Sequence, residues 1–162
     1  IGRDPSPFLH YIIINRGSND DILRGMPVVT NQGLVGRVDA VIADAARVQL
    51  ITDPASAVNC ILQKADTNAS ALGSVTGDIS LDMISQNVTV ESGDLVLTSG
   101  LGGGYPPNII IGQVVTVRSL EFELFQQATL QPAVDFTRLS IVLVITNRRP
   151  VNISPLEPQQ SP

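Results

Sequence analysis

Gly25-Met26-Pro27-Val28-Val29-Thr30-Asn31-Gln32-Gly33-Leu34-Val35-Gly36-Arg37-Val38 has a looser counterpart beginning 68 residues later. The second copy runs Gly93-Asp94-Leu95-Val96-Leu97-Thr98-Ser99-Gly100-Leu101 and resumes, after an insertion, at Gly112-Gln113-Val114. Both copies read Gly-x-x-Val-x-Thr, then a Gly-Leu turn, then Gly-x-Val. The chemistry required is the same each time. A glycine opens a strand where the backbone needs positive φ or no Cβ, apolar residues alternate inward, and a threonine ends the strand. Two copies of one β-motif predict two related β-modules.

The remaining sequence agrees. Val, Ile and Thr number 44 of 162 residues and are interrupted by 13 glycines and 11 prolines, which is the composition of short strands joined by turns. Expected strands are Leu9–Ile14, Pro27–Thr30, Leu34–Val41, Arg47–Thr52, Val58–Leu62, Ala71–Thr76, Ile79–Met83, Leu95–Thr98, Ile110–Val117, Ala128–Gln131 and Leu139–Ile145. No helix-length periodic segment separates them, which excludes a βαβ fold. Ser119–Gln127 fits both alternation and a helical face, and is read as a short helical turn or loop feeding a strand. The expected fold is all-β: two small β-barrel-like domains packed together, with little helix. The polar stretch Ala65–Ser70 suggests a first domain over 1–66 and a second over 67–147. The last strand either completes the second or returns to the first. Residues 148–162, rich in proline, read as an extended, mobile tail.

Composition also excludes functions. Net charge is −5, the only lysine is Lys64, and no basic residue falls between Lys64 and Arg118. Nucleic-acid binding requires clustered Lys and Arg, so it is excluded. One cysteine, Cys60, makes neither an intramolecular disulfide nor a zinc site; within Ala57-Val58-Asn59-Cys60-Ile61-Leu62 it reads as a small buried hydrophobe. The apolar runs are too short for a membrane helix, and no signal peptide is visible. The chain opens at Ile1 and reads as a piece of a longer protein.

Catalytic patterns are sparse. His10, the sole histidine, lies in the apolar context Phe8-Leu9-His10-Tyr11-Ile12. A relay needs a serine on one ring nitrogen and a carboxylate on the other, and no serine here lies in a nucleophile turn. The pairs Asp20/Asp21, Asp78/Asp82 and Glu91/Asp94 read as solvated turns. A glycosidase cleft or sugar-binding module would want aromatic platforms, yet the chain has no tryptophan, two tyrosines and four phenylalanines. Gly100-Leu101-Gly102-Gly103-Gly104-Tyr105-Pro106-Pro107 opens no helix, so it reads as a tight loop rather than a phosphate cradle. No cofactor or metal is expected. Tyr105 and the strand residues Leu9, Tyr11 and Ile13 are the candidate protein contacts.

These motifs, in order, resemble the rod shape-determining protein family MreC. The residues that carry the resemblance are the first repeat copy, Ala46-Arg47-Val48-Gln49-Leu50-Ile51-Thr52-Asp53-Pro54, the second copy with Tyr105-Pro106-Pro107 and Ile111-Gly112, and Ala133-Val134-Asp135-Phe136-Thr137-Arg138-Leu139. Gly25, Thr30, Gly33, Gly36, Gly93, Thr98, Gly100, Gly102, Gly103, Pro106 and Gly112 are its structural positions. The resemblance implies paired β-barrels similar to chymotrypsin-like proteases but without a working triad. It also implies a non-enzymatic scaffold of bacterial cell elongation, extracytoplasmic and anchored through an N-terminal membrane helix outside this chain. Implied partners are other copies of itself, in a dimer or filament, and the elongation-specific penicillin-binding transpeptidase, alongside MreD, RodZ, RodA and MreB. The rival reading is a hydrolase on a chymotrypsin-like double barrel.

Overall fold

The computed structural model describes residues 2, 3 and 10–146. Among these residues twelve strands form, all pairing antiparallel: β1 (Gly2–Arg3), β2 (Tyr11–Ile14), β3 (Pro27–Val29), β4 (Leu34–Val41), β5 (Ala46–Leu50), β6 (Ala57–Leu62), β7 (Thr67–Leu72), β8 (Ile79–Ser85), β9 (Leu95–Thr98), β10 (Ile110–Arg118), β11 (Phe125–Pro132) and β12 (Leu143–Val144). Expected residue Leu9 and the tail 148–162 lie outside the described residues.

Six strands close a barrel in the order β6-β7-β8-β11-β10-β9, with β9 returning to β6. The other six form an open sheet, β12-β3-β4-β5-β2-β1. The two orders are the same once the strands are matched: β3 with β9, β4 with β10, β5 with β11, β2 with β8, β1 with β7, and β12 with β6. Among the described residues only one ring closes. The open sheet takes its β6-like strand from the far end of the chain, where Leu143 pairs with Val29 and Val144 with Val28. The last described strand thus pairs in the open sheet rather than in the barrel.

The repeated motif lies at equivalent places in both sheets. The Gly25 and Gly93 backbones share φ of 93°. Gly25 N–H donates to the Val38 carbonyl and Gly93 N–H to the Val114 carbonyl, both at 2.7 Å. Gly36 and Gly112 lie where the paired strand leaves no room for a side chain. A Cβ on Gly36 would lie 1.9 Å from the Gln49 carbonyl oxygen, and one on Gly112 would lie 2.1 Å from that of Gln131. Each is followed by a register shift, between Val38 and Ala40 and between Val114 and Thr116. Such bulges bend the strand so that the sheet can curl.

The sheet boundary differs from the expected one. β6 was expected in the first domain, before residue 66, but pairs with β7 and β9 inside the barrel. The chain changes sheets between Leu50 and Ala57. The polar stretch Ala65–Ser70, read from the sequence as the place of the domain boundary, is a hairpin turn and most of β7. Ala69 and Ala71 point into the barrel, whose narrow interior takes small side chains on some strands and larger ones on others. Ser119–Gln127 divides into a turn and the start of β11, and Leu139–Ile145 contributes only the two residues of β12.

The barrel core gathers Val58, Cys60, Leu62, Ile79, Leu81, Ile84, Val96, Ile111 and Leu130, joined by Leu34 from β4 and by Ile51 from the connection between β5 and β6. The open sheet packs Ile12, Val28, Val35, Val38 and Val48. Phe136 packs against both clusters. A side chain as fully buried as Leu34 or Ile51 contributes about 1.5–3 kcal/mol, so the shared residues couple the two modules.

Candidate interaction surfaces

His10 lies where the modules meet. Its Nδ1 is 2.9 Å from Thr52 Oγ1, and its backbone N–H donates to Asp53 Oδ2 at 2.8 Å. Asp53 is fully buried. Its other oxygen accepts from Ala55 N–H at 2.8 Å and from Gln49 Nε2 at 3.3 Å. The hydroxyl at the imidazole is therefore a threonine, and the neighbouring carboxylate holds backbone amides rather than the ring. These bonds fasten the segment between β5 and β6 to the start of β2. Sequence reading singled out His10 but not Asp53; the signal available was the Asp-Pro step after a strand, a turn position at which a carboxylate commonly takes backbone N–H groups.

Tyr105, expected as an exposed contact, is buried in the barrel core. Burial pushes its phenol above the usual value, with nearby Arg37 opposing the shift. It is reached through the glycine loop, which Thr98 pins from below: Thr98 Oγ1 donates to the Pro106 carbonyl at 2.6 Å and accepts from Ile109 N–H at 2.9 Å. The loop folds as a short turn through Gly100, Gly102 and Gly103, all at positive φ, and continues into β10. In the first copy, Thr30 closes the corresponding and shorter turn by donating its N–H to the Gly33 carbonyl.

Tyr11 and Ile13 on β2 stay partly exposed. The Arg47 guanidinium stacks 4.6 Å above the Tyr11 ring and holds Asp39 with two hydrogen bonds of 3.0 Å. A second apolar feature is the β10–β11 connection, where Phe122 and Leu124 are 87% and 84% exposed on either side of Glu123. The third is the open side of the first sheet, where Leu143 and Ile141 face solvent. Among the described residues no group of three or more His, Cys, Asp and Glu side chains is placed to hold a metal ion, and no helix is long and apolar enough to cross a membrane.

A closed six-stranded antiparallel barrel beside an open sheet of the same strand order, with its histidine bonded into the junction, defines a double-β-module protein whose prominent surface features are apolar strands and loops. The chain belongs to the family described as rod shape-determining protein MreC, barrel core, whose model matches residues 1–146. It is 28% identical over 155 residues to the cell shape-determining protein MreC of Escherichia coli, covering 95% of this chain and 42% of that one. The chain thus spans less than half the length of that relative. The crystal structure of MreC from Pseudomonas aeruginosa superposes with a TM-score of 0.82 at 30% identity, covering 90% of this chain and 94% of the other. Two more distant structures share the fold. One is the major periplasmic domain from the cell shape-determining filament MreC, with TM-score 0.70, 23% identity and coverage of 83% and 84%. The other is a complex between the penicillin-binding protein PBP2 and MreC from Helicobacter pylori, with TM-score 0.63, 16% identity and coverage of 78% and 77%.

Proposed function

We propose that this chain is the extracytoplasmic part of a membrane-anchored scaffold of bacterial cell elongation. In this reading it binds the elongation-specific penicillin-binding transpeptidase and further copies of itself, and acts beside MreD, RodZ, RodA and MreB without catalysing a reaction. The observation that carries the reading is the family match across residues 1–146, joined to the known complex of a relative with PBP2. The His10 geometry supports it from the chemical side, because a relay needs its carboxylate on the imidazole and Asp53 is bonded to the backbone instead. Tyr11 and Ile13 supply partly exposed apolar surface on the open sheet for such contacts.

The test is binding of this chain to the periplasmic part of the elongation transpeptidase from the same organism, measured by interferometry, together with rescue of cell shape by the full-length protein. Saturable binding and restored rods are expected, with rescue unchanged by His10→Ala if that variant folds. Absence of binding, or hydrolysis of any substrate that disappears with His10→Ala, would count against the scaffold reading.

A further inference from the structure

Phe122 and Leu124 are the most exposed large apolar side chains among the described residues, and the turn that carries them is fastened to the barrel. Gln86, one residue past β8, donates from Nε2 to the Leu120 and Glu123 carbonyls, both at 3.1 Å. Its Oε1 accepts from Ser119 Oγ at 2.9 Å. Within the turn, Glu123 N–H donates to the Leu120 carbonyl at 3.0 Å. Behind it, the buried Gln126 donates from Nε2 to the Ser85 and Val88 carbonyls at 2.8 Å and 2.7 Å.

Two glutamine side chains thus hold a phenylalanine and a leucine out into solvent. Apolar anchors that are fixed before contact lose little freedom on binding and concentrate the energy of a protein interface. Charge defines the complement. Residues 57–132 contain two basic and seven acidic residues, so the barrel carries a net charge of −5, as much as the whole chain. At the turn, Glu121 and Glu123 outnumber Arg118, which lies 4.0 Å from Glu123. This setting disfavours an anionic membrane, where interfacial apolar anchors are accompanied by Lys and Arg. It equally disfavours the acidic barrel of a second copy. An apolar pocket rimmed by Lys or Arg on a different protein is the surface it fits.

We propose that the turn at 121–124 is a plug by which this chain docks on its transpeptidase partner. Phe122 and Leu124 enter an apolar pocket there, and Glu121 and Glu123 meet a rim bearing Lys or Arg. This rests on the transpeptidase binding in the proposed function and assigns it a surface on the barrel, in addition to Tyr11 and Ile13 on the open sheet. Gln86 is a positioning residue: it holds the turn in shape through the Leu120 and Glu123 carbonyls.

Interferometry of the whole chain against the periplasmic part of the elongation transpeptidase from the same organism, at several salt concentrations, tests this. The double variant Phe122→Ala/Leu124→Ala should bind at least about tenfold more weakly, with an unchanged circular dichroism spectrum because both side chains are exposed. Glu121→Gln/Glu123→Gln should slow association and flatten its salt dependence. Gln86→Ala keeps both apolar groups and should weaken binding less than their truncation, by loosening the turn. Unchanged affinity in the Phe122/Leu124 variant overturns the plug and leaves transpeptidase binding standing on another surface. No binding by the unaltered chain overturns it together with the transpeptidase part of the proposed function. Salt dependence that the glutamine variant leaves intact refutes the basic rim. Capture of the chain by phosphatidylglycerol vesicles, or self-association in sedimentation, that is lost in the Phe122/Leu124 variant while transpeptidase binding is kept gives the turn a different occupant and overturns the proposal.

Discussion

Cys60 sits on β6 with no exposed surface, and burial pushes its thiol from 9.0 up to about 12. A thiol is neutral when protonated, so raising its pKa makes the folded chain hold a proton that the unfolded chain has released. The associated stability is fully present below pH 9 and is lost as pH rises towards 12, by about 1.4 kcal/mol per pH unit. Tyr105, also raised by burial from 10.0, adds to the loss above pH 10. Urea denaturation across this range should therefore show stability falling from about pH 9, with a shallower fall in Cys60→Ala even though that variant starts lower for its lost volume. Equal slopes in the two proteins would refute the assignment. At pH 8 the same thiol should resist Ellman's reagent until the chain is unfolded.

Among elements, the repeat was the part of the fold most legible in the sequence, because its glycines answer to backbone geometry rather than to distant packing. Gly36 and Gly112 mark close approaches of the paired strand and Gly25 and Gly93 mark left-handed entries, all at matched positions. The strand β7 was not legible, since its Asn-Ala-Ser-Ala pattern has the composition of a linker, and only barrel curvature explains why small residues belong there. Tyr105 misled for a related reason: a tyrosine beside glycines and prolines looks like a loop tip, whereas this loop folds back over the barrel core. The paired glycines separate two costs. Gly36→Ala and Gly112→Ala drive a methyl into a backbone carbonyl and should each destabilise by more than about 3 kcal/mol, in the range of severe core disruptions. Gly25→Ala meets nothing within 4 Å and changes only a residue at φ 93°, so it should lose about 1–2 kcal/mol. Urea midpoints rank the three; equal losses would refute the distinction.

At the scale of the molecule, two sheets of matching strand order are tied by three devices: the return of β12, the His10–Thr52–Asp53 bonds, and a core in which Leu34, Ile51 and Phe136 cross between modules. Composition and repeat implied two modules, but a late strand that pairs with the earlier sheet leaves no local trace in sequence. Such coupling predicts that the modules unfold together. The only two tyrosines report on them separately, Tyr11 from the open sheet and Tyr105 from the barrel. With fluorotyrosine incorporated, the two fluorine resonances should lose native intensity at the same urea concentration. Phe136 is only partly buried, so Phe136→Ala should cost about 2–3 kcal/mol, less than truncating a fully buried phenylalanine. Both midpoints should fall together, because Leu34 and Ile51 still bridge the cores. Separate midpoints in the unaltered chain would show two independent modules and refute the shared core.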